Sequence, residues 1–509
     1  MGQDVIEAGQ IKTGASDSRN RRGKQGRFLN VLRFTAISGG AAALLAGCGN
    51  PYRPVINPVR PTGPSPAPTA YAVAITQPAG AQAGIATVLD FSGDTVLAQA
   101  TIGNFPLDFT LDGPGATAYT IDRDGSLSDI PISTSLQTKN VQTSTLSATS
   151  VPINTIVGSG VVYVVDQATN EIDVLTGTPP GLKQAIQFPA GLLNLVGRAA
   201  STRFYAISQN VASSTTTTNG SGQQVNVPSA CATPSGVTTT GVVSALEAST
   251  NTISATIPVG VCPVYGLASA DGLRAFILNR GSGTISVIDA QKNILDTQFS
   301  PSGTIAVPAG PVYAELFDSA SKLVTANYDS NTVSVIDVTT DAFDNDGPTF
   351  GTIHNVAVGN GPTEVTILQD GSRAYVANSK DGTVSVVNLS SYTVEATIAL
   401  PLNQDGTTPH PRLIASIFNN PTGKVYVTSL DSENLVILRT DTDTVDATLQ
   451  LQGNLIGTRV TRQNANGTSQ TNTLTYSPGN GVPCTPGTVP AQLTSEPDAC
   501  YVEANPGVQ

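Results

Sequence analysis

Arg373–Leu400 reads RAYVANSKDGTVSVVNLSSYTVEATIAL, and this stretch decides the fold. Tyr375-Val376-Ala377-Asn378 is a short apolar run closed by a turn of Ser379, Lys380, Asp381 and Gly382. Thr383 to Val387 is a second run, Asn388 to Tyr392 a second polar turn, and Thr393 to Leu400 a third run in which polar and apolar side chains alternate. Runs rich in β-branched and aromatic residues, punctuated by Asn, Asp, Ser and Gly, are strands joined by tight turns. A fourth run lies just upstream, Thr363 to Leu368, entered through Gly361-Pro362 and left through Asp370-Gly371. The unit is thus four antiparallel strands.

Outward from this stretch the unit recurs about every 50 residues, the kind of period that marks a repeat architecture. Clear copies start at Arg274 (RAFILNRGSGTISVID), Lys322 (KLVTANYDSNTVSVID) and Lys424 (KVYVTSLDSENLVILRTDTDTVDATLQL). Fainter ones start at Tyr71, Tyr119, Tyr163 and Phe204, making eight starts. A four-stranded sheet of this size cannot cover both of its faces, so neighbours must stack, and stacking that closes on itself is the β-propeller. An open solenoid would need distinct polar caps, and none is visible. The expected fold class is all-β, a propeller of four-stranded antiparallel blades, seven or eight in number.

The copies resemble the YVTN family of β-propeller repeats, whose consensus runs as YVTN, a polar turn, TVSVID, a second turn, and VVATIPVG. Tyr375-Val376-Ala377-Asn378 with Thr383 to Val387 carries the resemblance, as do Tyr426-Val427-Thr428-Ser429 and Thr332 to Asp337. It covers most of residues 71–453 and is strongest after Thr252. It implies an extracytoplasmic propeller, typically of seven blades. Because the first copy opens on its second strand, Leu455 to Val460 is placed to supply the missing innermost strand, which would remove two open sheet edges at once.

The address is read from the other end of the chain. Arg19, Arg21, Arg22, Lys24, Arg27 and Arg33 form a basic region ahead of an apolar stretch from Phe34 to Ala46, too short to span a bilayer comfortably. It ends in Leu45-Ala46-Gly47-Cys48, which resembles a bacterial lipobox and implies a lipid-modified Cys48 in the cell envelope. Residues 1–48 are expected to be a lipoprotein signal peptide, and residues 49–70 a proline-rich tether that cannot join a sheet. The propeller is expected over 71–460 with an insertion at 208–241, and a polar tail over 461–509. Beyond Cys48 the chain carries 18 basic and 34 acidic side chains, a formal −16, which repels nucleic acid and anionic lipid. Its membrane contact would come from acyl chains on Cys48.

Cys231, Cys262, Cys484 and Cys500 remain, an even number for an oxidising compartment. Three pairings exist, and proximity favours Cys231–Cys262 with Cys484–Cys500; the alternative is free or buried thiols. No CxxC spacing points to zinc or redox chemistry.

Little in the sequence points to catalysis. Asn279, Asp289, Asp337, Asn378 and Asn388 recur at equivalent strand ends and are expected to cap turns. The two histidines, His354 and His410, fall in different repeats, which disfavours a histidine metal site or triad and assigns both to ordinary surface roles. Asp341, Asp344 and Asp346 before Gly347 hint at a calcium loop, but Ala342 and Ile353 break the EF-hand pattern, leaving a solvated turn; Asp441, Asp443 and Asp446 form a similar one. No nucleotide-binding or nucleophile-elbow motif is present, and no metal or cofactor is expected. The expected function is a lipid-anchored scaffold binding an unknown protein or glycan. The alternatives are a lactonase-like enzyme with its site at the central channel, and a structural spacer. A quinone-dependent dehydrogenase fits poorly, because such blades commonly dock through tryptophan and this chain has none.

Overall fold

Burial explains why the second and third strands of each repeat carry apolar residues on both faces. In Arg373–Asn378 and Thr383–Asn388 nearly every residue is buried, on both faces, whereas the outermost strand Thr393–Ala399 alternates between exposed and covered. A sheet sandwiched between two neighbours has no solvent face except at its rim. The structure, a computed structural model, describes residues 71–461 apart from 92, 148, 159, 198–200, 211–213, 219–223, 229–238, 270, 318–320, 342–343, 369 and 418–422.

Eight four-stranded antiparallel blades form the ring, more than the seven typical of the family the repeats resemble. From the axis outward, blade 1 is Asn454–Val460, Tyr71–Gln77, Ala83–Asp90 and Thr95–Asn104. Blade 2 is Pro106–Leu111, Thr117–Asp122, Ser126–Pro131 and Gln142–Thr145; blade 3 is Pro152–Gly158, Val161–Asp166, Glu171–Thr176 and Gly181–Gln187. Blade 4 is Leu192–Val196, Arg203–Ser208, Thr240–Glu247 and Thr252–Val261. Blade 5 is Pro263–Ala268, Arg274–Asn279, Thr284–Asp289 and a split outer strand, Ile294–Leu295 with Thr304–Ala306. Blade 6 is Pro311–Phe317, Lys322–Asn327, Thr332–Asp337 and Ile353–Ala357. Blade 7 opens with Pro362–Ile367, and blade 8 is Pro411–Ile417, Lys424–Ser429, Asn434–Arg439 and Thr444–Gln450. The ring closes as expected: Ala72 pairs with Val460 and Gln77 with Asn454. Within the insertion, Ser214–Thr218 and Gln224–Pro228 form a two-stranded sheet that joins no blade.

The blades dock through recurring contacts. Asn378 closes its strand and donates Nδ2 to Thr383 Oγ1 at 3.0 Å and Ser385 Oγ at 2.9 Å; Asn279 and Asn327 do the same with Thr284/Ser286 and Thr332/Ser334. Turn capping is therefore the wrong description for Asn279 and Asn378, which bind across the hairpin, whereas Asp289, Asp337 and Asn388 do cap their turns. Gly359, at the end of blade 6, lies so close to Asn378 that a Cβ would stand 2.6 Å from Nδ2. The glycine of the repeat is thus required by close approach.

A second contact uses the cation that opens the second strand. In blades 4 to 8, Arg203, Arg274, Lys322, Arg373 and Lys424 each reach the turn between the third and fourth strands of the following blade, taking Ala290 O, Asp344 and Asp346, Leu389 O, Asp443 and Asp94 respectively. Asp344 and Asp346 are accordingly not a solvated turn: their counter-ion is the buried guanidinium of Arg274, which also meets Asp296 at 3.0 Å. Asp443 likewise receives Arg373 and the Tyr375 hydroxyl. Such charge-assisted contacts are stronger than neutral hydrogen bonds.

Candidate functional site

The innermost strand of each blade turns an edge of backbone N–H and C=O groups toward the axis, where no further strand pairs with it. Side chains from the preceding blade meet part of that need. The third residue of the inner strand sits just past a bulge in blades 2 to 7, and these residues are Asp108, Asn154, Asn194, Tyr265, Tyr313 and Glu364. Glu364 Oε2 accepts from Ile414 N of blade 8 at 2.8 Å, and Asn154 Oδ1 from Leu195 N of blade 4 at 3.4 Å. Glu315, the fifth residue in blade 6, accepts from Ile367 N of blade 7 at 3.0 Å, and Asp108 takes backbone N–H groups of Phe109 and Thr155.

The ring these residues make is chemically uneven. Tyr265 and Tyr313 stack with centroids 4.7 Å apart. Opposite in character, Arg459 of the closing strand places Nη2 3.8 Å from Asp108 Oδ1 and lies over the Phe109 ring, and both Arg459 and buried Arg412 act electrostatically on Glu364. Burial pushes Glu364 up to about 8 and Asp108 up to about 7, with the guanidiniums opposing it, and it drives Glu315 well above the usual carboxylate range. Carboxyls titrating near neutrality can exchange protons, yet these oxygens already receive backbone donors, and Asp108, Glu315 and Glu364 are each no more than 3 % exposed. They seal the axis. A cavity of about 200 Å³ lies elsewhere, between blades 5 and 6, lined by Ser269, Asp271, Arg274, Phe276, Ser321 and Thr340.

His354 lies exposed on an outer strand, stacked on Tyr392. His410 departs from the surface role expected of it. Its backbone N–H donates to Asp431 Oδ1 at 3.0 Å and its Nδ1 lies 2.7 Å from Asp431 Oδ2, an anchor for the long loop into blade 8. Among the described residues no three His, Cys, Asp or Glu side chains are grouped to hold a metal. Cys48, Cys231, Cys484 and Cys500 lie outside the described residues, as do the tether and all of the tail beyond Thr461. Cys262 is buried directly ahead of Pro263, with Gln209 Nε2 at 3.9 Å from its Sγ.

No protein-family model matches the chain, and no curated protein matches its sequence. Solved structures do. The dihydro-heme d1 dehydrogenase NirN aligns at 12% identity over 78% of this chain and 76% of its own, with a TM-score of 0.55. AztD from Citrobacter koseri aligns at 12% identity over 78% and 99%, with a TM-score of 0.49, and hydrazine synthase from Kuenenia stuttgartiensis at 13% over 65% and 98%, with a TM-score of 0.43. What NirN shares with this chain is the fold. At this identity a likeness says nothing of substrate or site.

The channel residues were not singled out from sequence, although a signal existed. Pro106-Leu107-Asp108, Pro152-Ile153-Asn154 and Pro362-Thr363-Glu364 each place a polar residue third in a strand that opens with proline. Repetition of that offset is what marks the axis.

Proposed function

We propose that this chain is a lipid-anchored propeller of the cell envelope that binds a protein or glycan, with the insertion of blade 4 as its recognition element. The observation that carries this reading is the hairpin Ser214–Thr218/Gln224–Pro228, the only sheet among the described residues that lies outside the blades. A two-stranded sheet by itself is marginal in water and gains from a partner, and long excursions from a rigid repeat scaffold are where recognition is usually carried. The channel supports the same reading, since its carboxylates are engaged in holding inner strands together. The test is to replace residues 210–239 by a short Asn-Gly turn and compare both full chains for binding to purified peptidoglycan sacculi and to a bacterial glycan array. Binding that disappears with the insertion is expected; binding that survives its removal would move recognition elsewhere, and no binding by either chain counts against a glycan ligand.

The second reading, a lactonase-like enzyme at the channel, is favoured by one observation, the near-neutral carboxyls Asp108 and Glu364 beside Arg412 and Arg459. Hydrolysis of aldonolactones by the intact chain, lost in Glu364→Gln, would decide for it.

A further inference from the structure

The third and fourth strands of blade 7 are joined by residues 389–392 alone, but in blade 6 the connection runs over 338–352 and folds back on itself. Thr340 and Asp346 form an antiparallel bridge, Gly347 N donates to Thr339 O at 2.8 Å, and Asp341 N donates to Asn345 O at 2.9 Å. Buried Arg274 of blade 5 pins this excursion through Asp344 and Asp346, and its guanidinium lies over the Phe350 ring. A long connection held in this way is a built wall.

Against it lies the cavity of about 200 Å³ between blades 5 and 6. Buried Phe276, Leu316 and Val338 give it an apolar floor, and the partly exposed Ser269, Asp271, Ser321 and Thr340 a polar mouth. A water takes about 30 Å³ of the liquid, so the cavity holds about six or seven heavy atoms.

Four carboxylates surround one guanidinium here. Arg274 meets Asp296 at 3.0 Å, Asp346 at 2.7 Å and Asp344, while Asp271 acts electrostatically on Asp344. Lys292 nearby is exposed and paired with Asp289. The surplus is negative: burial, followed by the charge of Asp296, pushes Asp346 up to about 6. Asp346 Oδ2 is buried and makes no hydrogen bond, on a side chain 7 % exposed. Its bridge partner Thr340 lines the cavity, and residues opposed across an antiparallel bridge turn their side chains to the same side. The orphan acceptor thus faces the cavity, and a buried acceptor calls for a donor. Water supplies a donor, but a cation also answers the surplus charge. A bare metal ion gains nothing from an apolar floor, whereas an ammonium on a short alkyl body brings three donors to the carboxylate side and hydrocarbon to the floor.

We infer that this cavity binds a small aliphatic primary amine in its protonated form, the ammonium against Asp346 and Thr340 and the alkyl body against Phe276, Leu316 and Val338. The site rests on neither reading given above. It opens beside the connection between third and fourth strands, at the opposite end of the blades from the insertion, which joins a second strand to a third.

The test is equilibrium dialysis of the full chain, at about pH 8 and low salt, against labelled isoamylamine, isoamyl alcohol and isovalerate, which share one shape and are cationic, neutral and anionic. One amine per chain is expected, held about tenfold or more tightly than the alcohol, with no isovalerate retained. Asp346→Asn is expected to erase the preference for the cation. Should that variant not fold, Thr340→Phe at the partly exposed mouth serves in its place, filling the cavity and losing the amine while its Tm stays within about 2 °C of the parent. A parent that retains no amine, or holds amine and alcohol equally, overturns the proposal and leaves the cavity to water. So does a preference for the amine that persists in the folded variant.

Discussion

Lys424 Nζ lies 2.6 Å from Asp94 Oδ1, so that the last repeat of the chain grips the first. The same ammonium donates to Phe91 O at 2.8 Å and lies over the Phe91 ring. Both charged groups are mostly covered. Replacing Lys424 by Met is expected to destabilise the chain by about 1–3 kcal/mol, because Asp94 loses the Lys424 counter-charge. Adding Asp94→Asn should recover part of that loss. Urea midpoints of the three chains measure it, and equal midpoints for the parent and Lys424→Met would mean that the seam does not depend on this pair.

Gly359 offers a packing test. A Cβ there would meet Asn378 at 2.6 Å, whereas at Gly181 the nearest atom is 4.0 Å away. Gly359→Ala is expected to cost about 1–3 kcal/mol through displacement of Asn378 from its two hydroxyls. Gly181→Ala should lie within about 0.5 kcal/mol of the parent. Thermal melts that rank the two the other way would refute the docking role of the repeat glycine.

Stability should depend on pH in a definite direction. Asp108 and Glu364 titrate at about 7 and about 8 in the folded chain, against about 4 when unfolded. Between those values the folded chain retains protons that the unfolded chain has released, so the contribution is fully present below about pH 4 and is lost as pH rises toward 8. Tm is expected to fall between pH 5 and pH 8. Glu364→Gln keeps a cap for Ile414 N and removes the titration, so it should flatten the slope and be the more stable chain at pH 8, by on the order of 1–3 kcal/mol. A slope unchanged by the substitution would place its origin elsewhere.

The anchor is tested at Cys48. Expressed in a bacterial host, the parent is expected in the membrane fraction and to take up labelled palmitate, and Cys48→Ala is expected to do neither. Identical partitioning of the two chains would remove the lipid from the account.

The fold was legible where blades are most alike. From Arg274 onward the second and third strands carry apolar residues on both faces because both are covered, and the turns between them carry the Asn, Asp and Gly their geometry needs. Before Thr252 the copies are faint, since blade 2 uses Asp122 with Ser126 and Ser128 where later blades use Asn, Thr and Ser. What sequence hid was contact between repeats. Asp344 and Asp346 read as a wet turn because their partner, Arg274, stands 70 residues earlier. His410 read as a surface group because Asp431 lies across a turn of the neighbouring strands. The channel side chains are scattered one to a blade, and only the closed ring brings them to one axis.

Ring closure also governs how the molecule answers to force. Thr461 N donates to Tyr71 O, and Tyr71 N to Thr461 Oγ1, at 2.8 Å each, so the chain enters and leaves the wheel at the same point. Tyr71–Gln77 and Asn454–Val460 run antiparallel with their outgoing ends together. Tension applied across residues 71 and 461 would therefore peel this seam one hydrogen bond at a time, as a zip opens from its free end, instead of loading all the bonds in shear.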